Sequence, residues 1–386
     1  MLLVTGAYAP EISAAGVQCR AVAAALRGRV RFSVLTTAVD SALPVAATVD
    51  GVVVHRVVVD VRSRLSKAAA AVRFAVRVLE AGRSCDIIHV HGFSQKNIPA
   101  ALLARLVGLR VVLTLHTAGQ DEPQVVRRRG RLAYRTLQSA DLVLCVSPYL
   151  SERCSDADFA ARVRVTPNGV DTNRFRPADG DERHAIRRRF GWPESQPVVL
   201  FVGFFSRDKR PDLLFRAWCR VRAAGVGATL VFVGAKGSGY YEIDESIARR
   251  IREDAARLGL ADDVLFTEPT NEIEQYFRAA DIFVLPSVRE AHPMALLEAM
   301  ASGVPAVATR LPGATDVVID DGRNGRLVPP DDEHGLADVL REMLTDKTGS
   351  WLMGARARET VMARYDIRQT AEQWLAAYQT VLADHR

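Results

Sequence analysis

Glu290 and Glu298 stand eight positions apart in the segment EAHPMALLEAMASGVP, with a proline between them. Two carboxylates at such a spacing invite an acid/base reading, but the local sequence argues against it. The apolar run DIFVLPS (281–287) reads as a strand that ends just before Glu290. Pro293 suits the first helical position, where its missing N–H costs nothing. Met294 to Ser302 then reads as a helix, closed by Gly303 in the left-handed conformation. Glu290 is therefore expected before the helix and Glu298 at least a turn inside it, on different faces. Backbone N–H groups from His292 to Ala295 would point out between them. Donors flanked by carboxylates suit sugar and ribose hydroxyls or phosphate oxygens better than a hydrolytic pair.

A second group of chemically able residues lies in VGFFSRDKRPD (202–212), after another strand-like run. Gly203 permits a close turn, and Arg207, Lys209 and Arg210 follow within four positions. Point charge and directed donors at a strand end suit a diphosphate, although a solvated basic loop would read the same way. Near the start, YAPEISAAGVQCRAVAAAL carries a small-residue turn at Ala15–Gly16 that feeds a helix N-terminus, a place for phosphate or simply a tight turn. FVGAKGSGYY (232–241) is glycine-rich but lacks the acidic residue of a dinucleotide fingerprint. Cys19, Cys85, Cys145, Cys154 and Cys219 show no metal or disulfide spacing and read as idle thiols. No metal site is expected.

Positioning these residues falls to a regular alternation. Strand-like runs at 1–6, 31–37, 52–59, 86–92, 110–116, 141–147 and 162–169 alternate with helical stretches, as do runs at 198–205, 228–234, 263–269, 281–287, 305–309 and 325–330. That pattern predicts α/β architecture with two doubly wound parallel sheets. In such sheets ligands lie beyond the carboxyl ends of the strands, where the candidates above are found. The polar segment 170–197 reads as a connector plus a helix. Expected domains are 1–175 and 176–365, with a final helix at 366–386 that crosses back to the first domain and carries Trp374 and Tyr378 on one face.

The 386 residues have the composition of a globular enzyme, with 25% charged residues and a net charge of +6. Residues 1–175 hold 23 basic against 13 acidic residues, which hints at an anionic partner for the first half. Within it, RSRLSKAAAAVRFAVR (62–77) and VRRRGRLAYR (126–135) mix cations with apolar residues, as a peripheral membrane surface would; ordinary solvated helix faces are the plainer alternative. No apolar run reaches the roughly 18 residues that span a bilayer. No signal-peptide pattern opens the chain, so a cytoplasmic location is expected.

The E-x7-E segment with AMASGVPAVAT and GRNGRLV, preceded by PNGVDTNRFRP and VGFFSRDKRPD, resembles the retaining GT-B glycosyltransferases of glycosyltransferase family 4. YAP…AAG, HVHG, LHT and DLVLCVSPYLSE carry the likeness into the first half. The resemblance implies a GT-B fold with two Rossmann-like domains facing a central cleft. It implies transfer of a sugar from a UDP- or GDP-sugar, with retained configuration, to an acceptor hydroxyl. Glu298 would hold the ribose. Glu290 and the backbone of Ala291, His292, Pro293 and Met294 would hold the donor sugar. Lys209, with Arg207 and the turn at Gly203, would neutralise the diphosphate, and Gly16 would let backbone approach it. His116 would stand beside the sugar, so His116, Glu290 and Lys209 form the expected catalytic set. Lys96, Asn168 and Arg131 are the expected acceptor-side residues.

The resemblance further implies that the leaving diphosphate assists deprotonation of the acceptor, with charge stabilisation by protein groups and no cofactor or metal. A lipid-linked glycan or envelope polysaccharide intermediate is the main expectation for the acceptor, and a small polar or phosphorylated acceptor the alternative. No nucleic acid partner is expected. Two positions depart from the family pattern. Phe204 stands where the family has Arg, and Ala291–His292 replace a glycine and an aromatic, which leaves the sugar open. A sugar-nucleotide epimerase and an inactive binding protein on the same fold are the readings from other classes.

Overall fold

A computed structural model of the chain describes residues 1–60, 62–81, 84–94, 97–235 and 243–383, with the backbone alone for Arg64 and Asn97. The chain forms two compact units, Met1–Gly169 with Ile367–Arg386, and Val170–Asp366. The boundary falls after Gly169, six residues earlier than the sequence suggests. Val170 bridges Asp366, and its N–H donates to Tyr365 O at 2.8 Å. Phe175 is buried in the second unit's core.

In the first unit the strands are β1 (Leu2–Thr5), β2 (Ser33–Ala38), β3 (Ala46–Val49), β4 (Val52–Val58), β5 (Ile87–His91), β6 (Arg110–Leu115), β7 (Leu142–Cys145) and β8 (Val163–Val165). Their order in the sheet is β3-β4-β2-β1-β5-β6-β7-β8. All pairs are parallel except β3 with β4. β5 is buried at every position, the mark of a strand covered on both faces. β3 was not expected from its short, half-exposed AATV. It exists because Asp50 and Gly51, with φ of 51° and 82°, close a two-residue hairpin turn onto β4. The helix Ile367–Ala383 buries Trp374 and Tyr378 in the same core as Leu3, Cys19, Val22 and Ile87.

Six strands build the second unit: β9 (Val198–Val202), β10 (Thr229–Val233), β11 (Val264–Thr267), β12 (Ile282–Leu285), β13 (Ala306–Thr309) and β14 (Arg326–Val328). The sheet is wholly parallel, in the order β11-β10-β9-β12-β13-β14. The chain starts at β9, winds outward through β10 and β11, then returns to the other side of β9. This reversal opens a crevice at the carboxyl ends of β9 and β12. In the first unit the corresponding reversal lies between β1 and β5. Each group of candidate residues follows a strand at or beside its reversal. Among the described residues no helix is long and apolar enough to cross a membrane.

Candidate functional site

The loops after β9 and β12 are stitched together at the crevice of the second unit. Val288 N–H donates to Asp208 O at 2.8 Å, and Arg289 pairs with the Asp208 carboxylate. Beside this, Lys209 Nζ donates to Glu290 Oε1 at 2.6 Å. The Glu290 side chain is only 8% exposed while that of Lys209 is 30% exposed, so the ammonium is the accessible half of the pair. The cluster of three cations read from the sequence is thereby resolved into different jobs. Arg210, in the left-handed region at φ 49°, caps the helix Pro211–Ala223 and pairs with Asp212 and Asp331. The Arg207 side chain is 88% exposed and lies 3.4 Å from Asp244. A Cβ at Gly203 would meet only the Phe201 ring, but Gly234 at the end of β10 is demanded by geometry. A Cβ there would fall 1.9 Å from Gly203 O, at φ 153°. Sequence reasoning gave Gly234 no role.

After β12, the helix runs Met294–Ala301, with Pro293 as the capping residue at ψ 115° rather than the first helical residue. No side chain caps its start, so the first-turn N–H groups are left for solvent or a ligand. Gly303 takes the expected left-handed conformation at φ 71°. Glu298 is 9% exposed, and its carboxylate has no hydrogen-bond or ion-pair partner among the described residues. Burial raises its pKa to about 7, with Arg174 nearby opposing the shift and Glu274 adding to it. A half-ionised buried carboxylate without donors is a costly arrangement that ligand hydroxyls would relieve. Ser287, fully buried just past β12, likewise has an unpartnered hydroxyl. Ala291 and His292 are both buried. The His292 ring packs 5.3 Å from that of Tyr365, and burial lowers its pKa to about 3. The ring is therefore neutral at physiological pH.

In the first unit, Gly16 sits in the opening turn of the helix Ala14–Ala25. A Cβ at Gly16 would fall 2.3 Å from Ala7 O, and its own N–H is taken by the Ser13 hydroxyl at 3.0 Å. The glycine admits the protein's own loop after β1 rather than offering a free donor. His116 follows β6. Its backbone N–H and that of Thr117 donate to Asp121 Oδ2 at 2.8 and 2.9 Å, while Phe93 N–H, after β5, donates to Asp121 Oδ1 at 2.9 Å. One buried carboxylate thus ties the loops after two adjacent strands. Nothing in the sequence pattern singled out Asp121 beyond its place five residues after His116.

The His116 ring is also held. Its Nε2 lies 3.0 Å from His91 Nδ1, so one nitrogen must carry the proton and the other accept. The His91 ring is buried against Trp374 at 5.0 Å, and its Nε2 has no partner. A buried N–H without an acceptor costs more than an idle lone pair. His91 therefore carries its proton on Nδ1 and donates to His116, whose own proton must then sit on Nδ1. Burial lowers the His116 pKa to about 4, so the ring is a neutral donor at physiological pH. Next in the row, His89 contacts Tyr378 Oη at 2.7 Å and Thr114 Oγ1 at 2.6 Å.

Of the acceptor-side expectations, Lys96 lies outside the described residues. Asn168 is 5% exposed, enclosed in the protein rather than presented to an acceptor. Arg131 is exposed at the start of the helix Arg131–Gln138. Cys145 and Cys154 are buried neighbours in hydrogen-bond contact, and that contact with burial pushes the Cys145 thiol up. Among the described residues no group of three or more His, Cys, Asp or Glu side chains is placed to hold a metal.

Known proteins match this chain along its whole length. The sequence pattern of the family described as Glycosyltransferase Family 4 covers residues 15–174, and that of Glycosyl transferases group 1 covers residues 182–360. A protein of Mycobacteroides abscessus named D-inositol 3-phosphate glycosyltransferase is 32% identical over 93% of this chain and 82% of its own length. Among solved structures, sucrose-phosphate synthase from Thermosynechococcus elongatus superimposes with a TM-score of 0.81 at 21% identity, covering 99% of each chain. Anabaena HepE in complex with UDP and glucose superimposes with a TM-score of 0.79 at 20% identity, covering 98% of this chain and 99% of the other.

Proposed function

Because the chain belongs to glycosyltransferase family 4 and is a glycosyltransferase, we propose that its second unit binds a nucleotide sugar at the β9–β12 crevice. The observation that carries this reading is the buried, partnerless Glu298 on the helix that follows the Lys209–Glu290 pair. A ribose diol supplies the two donors that the Glu298 carboxylate lacks. Lys209 swings from Glu290 to the diphosphate, where its point charge stabilises the leaving group. Glu290, released, accepts from hydroxyls of the donor sugar, and the uncapped helix start at Met294 adds N–H donors. His116 acts as a neutral hydrogen-bond donor and not as a base.

The donor is a UDP- or GDP-sugar, and the sugar is transferred with retained configuration. The leaving diphosphate assists deprotonation of the acceptor hydroxyl, and charge stabilisation by Lys209 and helix N-termini makes a metal unnecessary. The name of the M. abscessus relative favours a small phosphorylated polyol as acceptor over the lipid-linked glycan expected from sequence, and the basic surplus of residues 1–175 suits that anion as well.

Thermal-shift titration with UDP-, GDP- and ADP-sugars tests the donor reading, because a bound ligand raises Tm by mass action. One nucleotide class is expected to respond in the presence of EDTA. Incubating the responding donor with D-inositol 3-phosphate, and separately with a polyprenyl-phosphate glycan, then identifies the acceptor by mass spectrometry and the anomeric configuration by NMR. No shift with any nucleotide sugar would sink the donor assignment. An inverted product, or activity lost with EDTA, would sink the mechanistic part alone.

A further inference from the structure

The helix Arg64–Ala81 has two apolar faces. One packs inward through Ala70, Phe74 and Val78, all buried. The other carries Leu65, Val72, Val76 and Leu79, whose exposures are 85%, 65%, 48% and 41%. At 100° per residue these four positions fall within an arc of about 60°, opposite the buried three, and they extend along about 21 Å of helix. Single exposed aliphatics are ordinary, but four aligned on one outward face are not. Arg73 stands about 60° from the edge of this stripe, while Arg62 just before the helix and Lys67 on its far side are also exposed; none of the three has a carboxylate partner among the described residues. Arg77 pairs with Glu80 at 2.8 Å, and Glu80 is the helix's one acidic residue.

We propose that this helix lies flat on an anionic membrane surface, its Leu65–Val72–Val76–Leu79 stripe in the acyl boundary and its cations against lipid phosphates. The charge decides the occupant. A second copy of the chain would bring the same cations against one another with a single paired glutamate to offset them. An anionic bilayer meets both features at once, since apolar burial and about 1 kcal/mol per surface cation act together. The helix is not one that crosses, since no described helix is long and apolar enough to span a membrane. Neither the donor nor the acceptor assignment is needed for this proposal.

Co-sedimentation of the full chain with phosphatidylglycerol/phosphatidylcholine vesicles, and with phosphatidylcholine alone, tests it. Binding is expected to the anionic vesicles, to weaken as salt rises, and to fall at least about tenfold in Val72→Glu/Val76→Glu. Both positions are solvent-exposed, so that variant keeps its circular dichroism and its thermal-shift response to nucleotide. A charge-only variant, Arg73→Glu, is expected to lose anionic binding while keeping the stripe. Absence of binding to anionic vesicles, or binding that the double variant leaves intact, would overturn the proposal. So would self-association in sedimentation velocity that V72E/V76E abolishes without any vesicle binding by the wild type, which would assign the stripe to a second copy.

Discussion

At the scale of single residues, the two carboxylates of the E-x7-E segment differ in environment, and that difference sets their tests. Glu290 has Lys209 at 2.6 Å, whereas Glu298 has no partner and a pKa of about 7. Against 4.5 for a free glutamate, Glu298 holds its proton longer in the folded state than in the unfolded one. Its contribution to stability is therefore full below pH 4.5, declines as pH rises toward about 7, and is level above. Glu298→Gln removes the buried charge. The apo protein is expected to gain up to about 3 kcal/mol at pH 8 and little at pH 4, read by urea unfolding at both pH values. The same substitution should weaken donor binding at least about tenfold. A variant less stable than wild type at pH 8 would mean the carboxylate is paired after all. Lys209→Met should cost about 100-fold or more in kcat/KM through loss of leaving-group stabilisation. An unchanged kcat/KM would remove Lys209 from the chemistry.

Secondary elements carry the next level of control. The loops after β5 and β6 hold their shape through Asp121, which accepts three backbone N–H groups from inside the protein. Asp121→Ala leaves those donors unpaired, and a loss of about 3 kcal/mol or more in unfolding free energy is expected. Activity should fall more than stability alone explains, because His116 is anchored by one of the three bonds; equal kcat/KM in variant and wild type at low temperature would refute that link. At the same level some elements depart from their local sequence signals. AATV was too short and too exposed to register as a strand, yet Asp50-Gly51 forces the β3–β4 hairpin through two positive φ angles. The fixed φ of Pro293 suits a helical residue, but its ψ of 115° leaves it outside the first turn.

For the molecule as a whole, the chain leaves its first unit at Gly169 and returns to it at Ile367. The returning helix supplies Trp374 and Tyr378 to the first unit's core, and Tyr378 also holds His89. A chain ending at residue 366 would expose that core and leave His89 with Thr114 as its one side-chain partner of the two. Its first unit is expected to lose cooperative unfolding in calorimetry, while the second unit keeps its own transition and its nucleotide-induced shift. An unaltered first transition would show that the helix is dispensable. The surplus of basic residues in the first half belongs to this scale too, since it would act on any anionic partner as a summed field rather than through one contact.

The amino-acid pattern by itself determined the two parallel α/β sheets, because alternation of apolar runs and helical periods is a local property. It also determined that Glu290, Glu298, Lys209 and His116 follow strands, because strand ends are marked by glycine, proline and polar residues nearby in sequence. Tertiary structure decided which of the neighbouring cations is accessible. Arg210 is drawn away by Asp331, which lies 121 residues later in the chain, and Lys209 by Glu290, 81 residues later. It alone decided that His292 is a packing group on Tyr365 and that His91 fixes the proton of His116. Pairing and burial of this kind depend on residues distant in sequence, and only the folded chain brings those partners within reach.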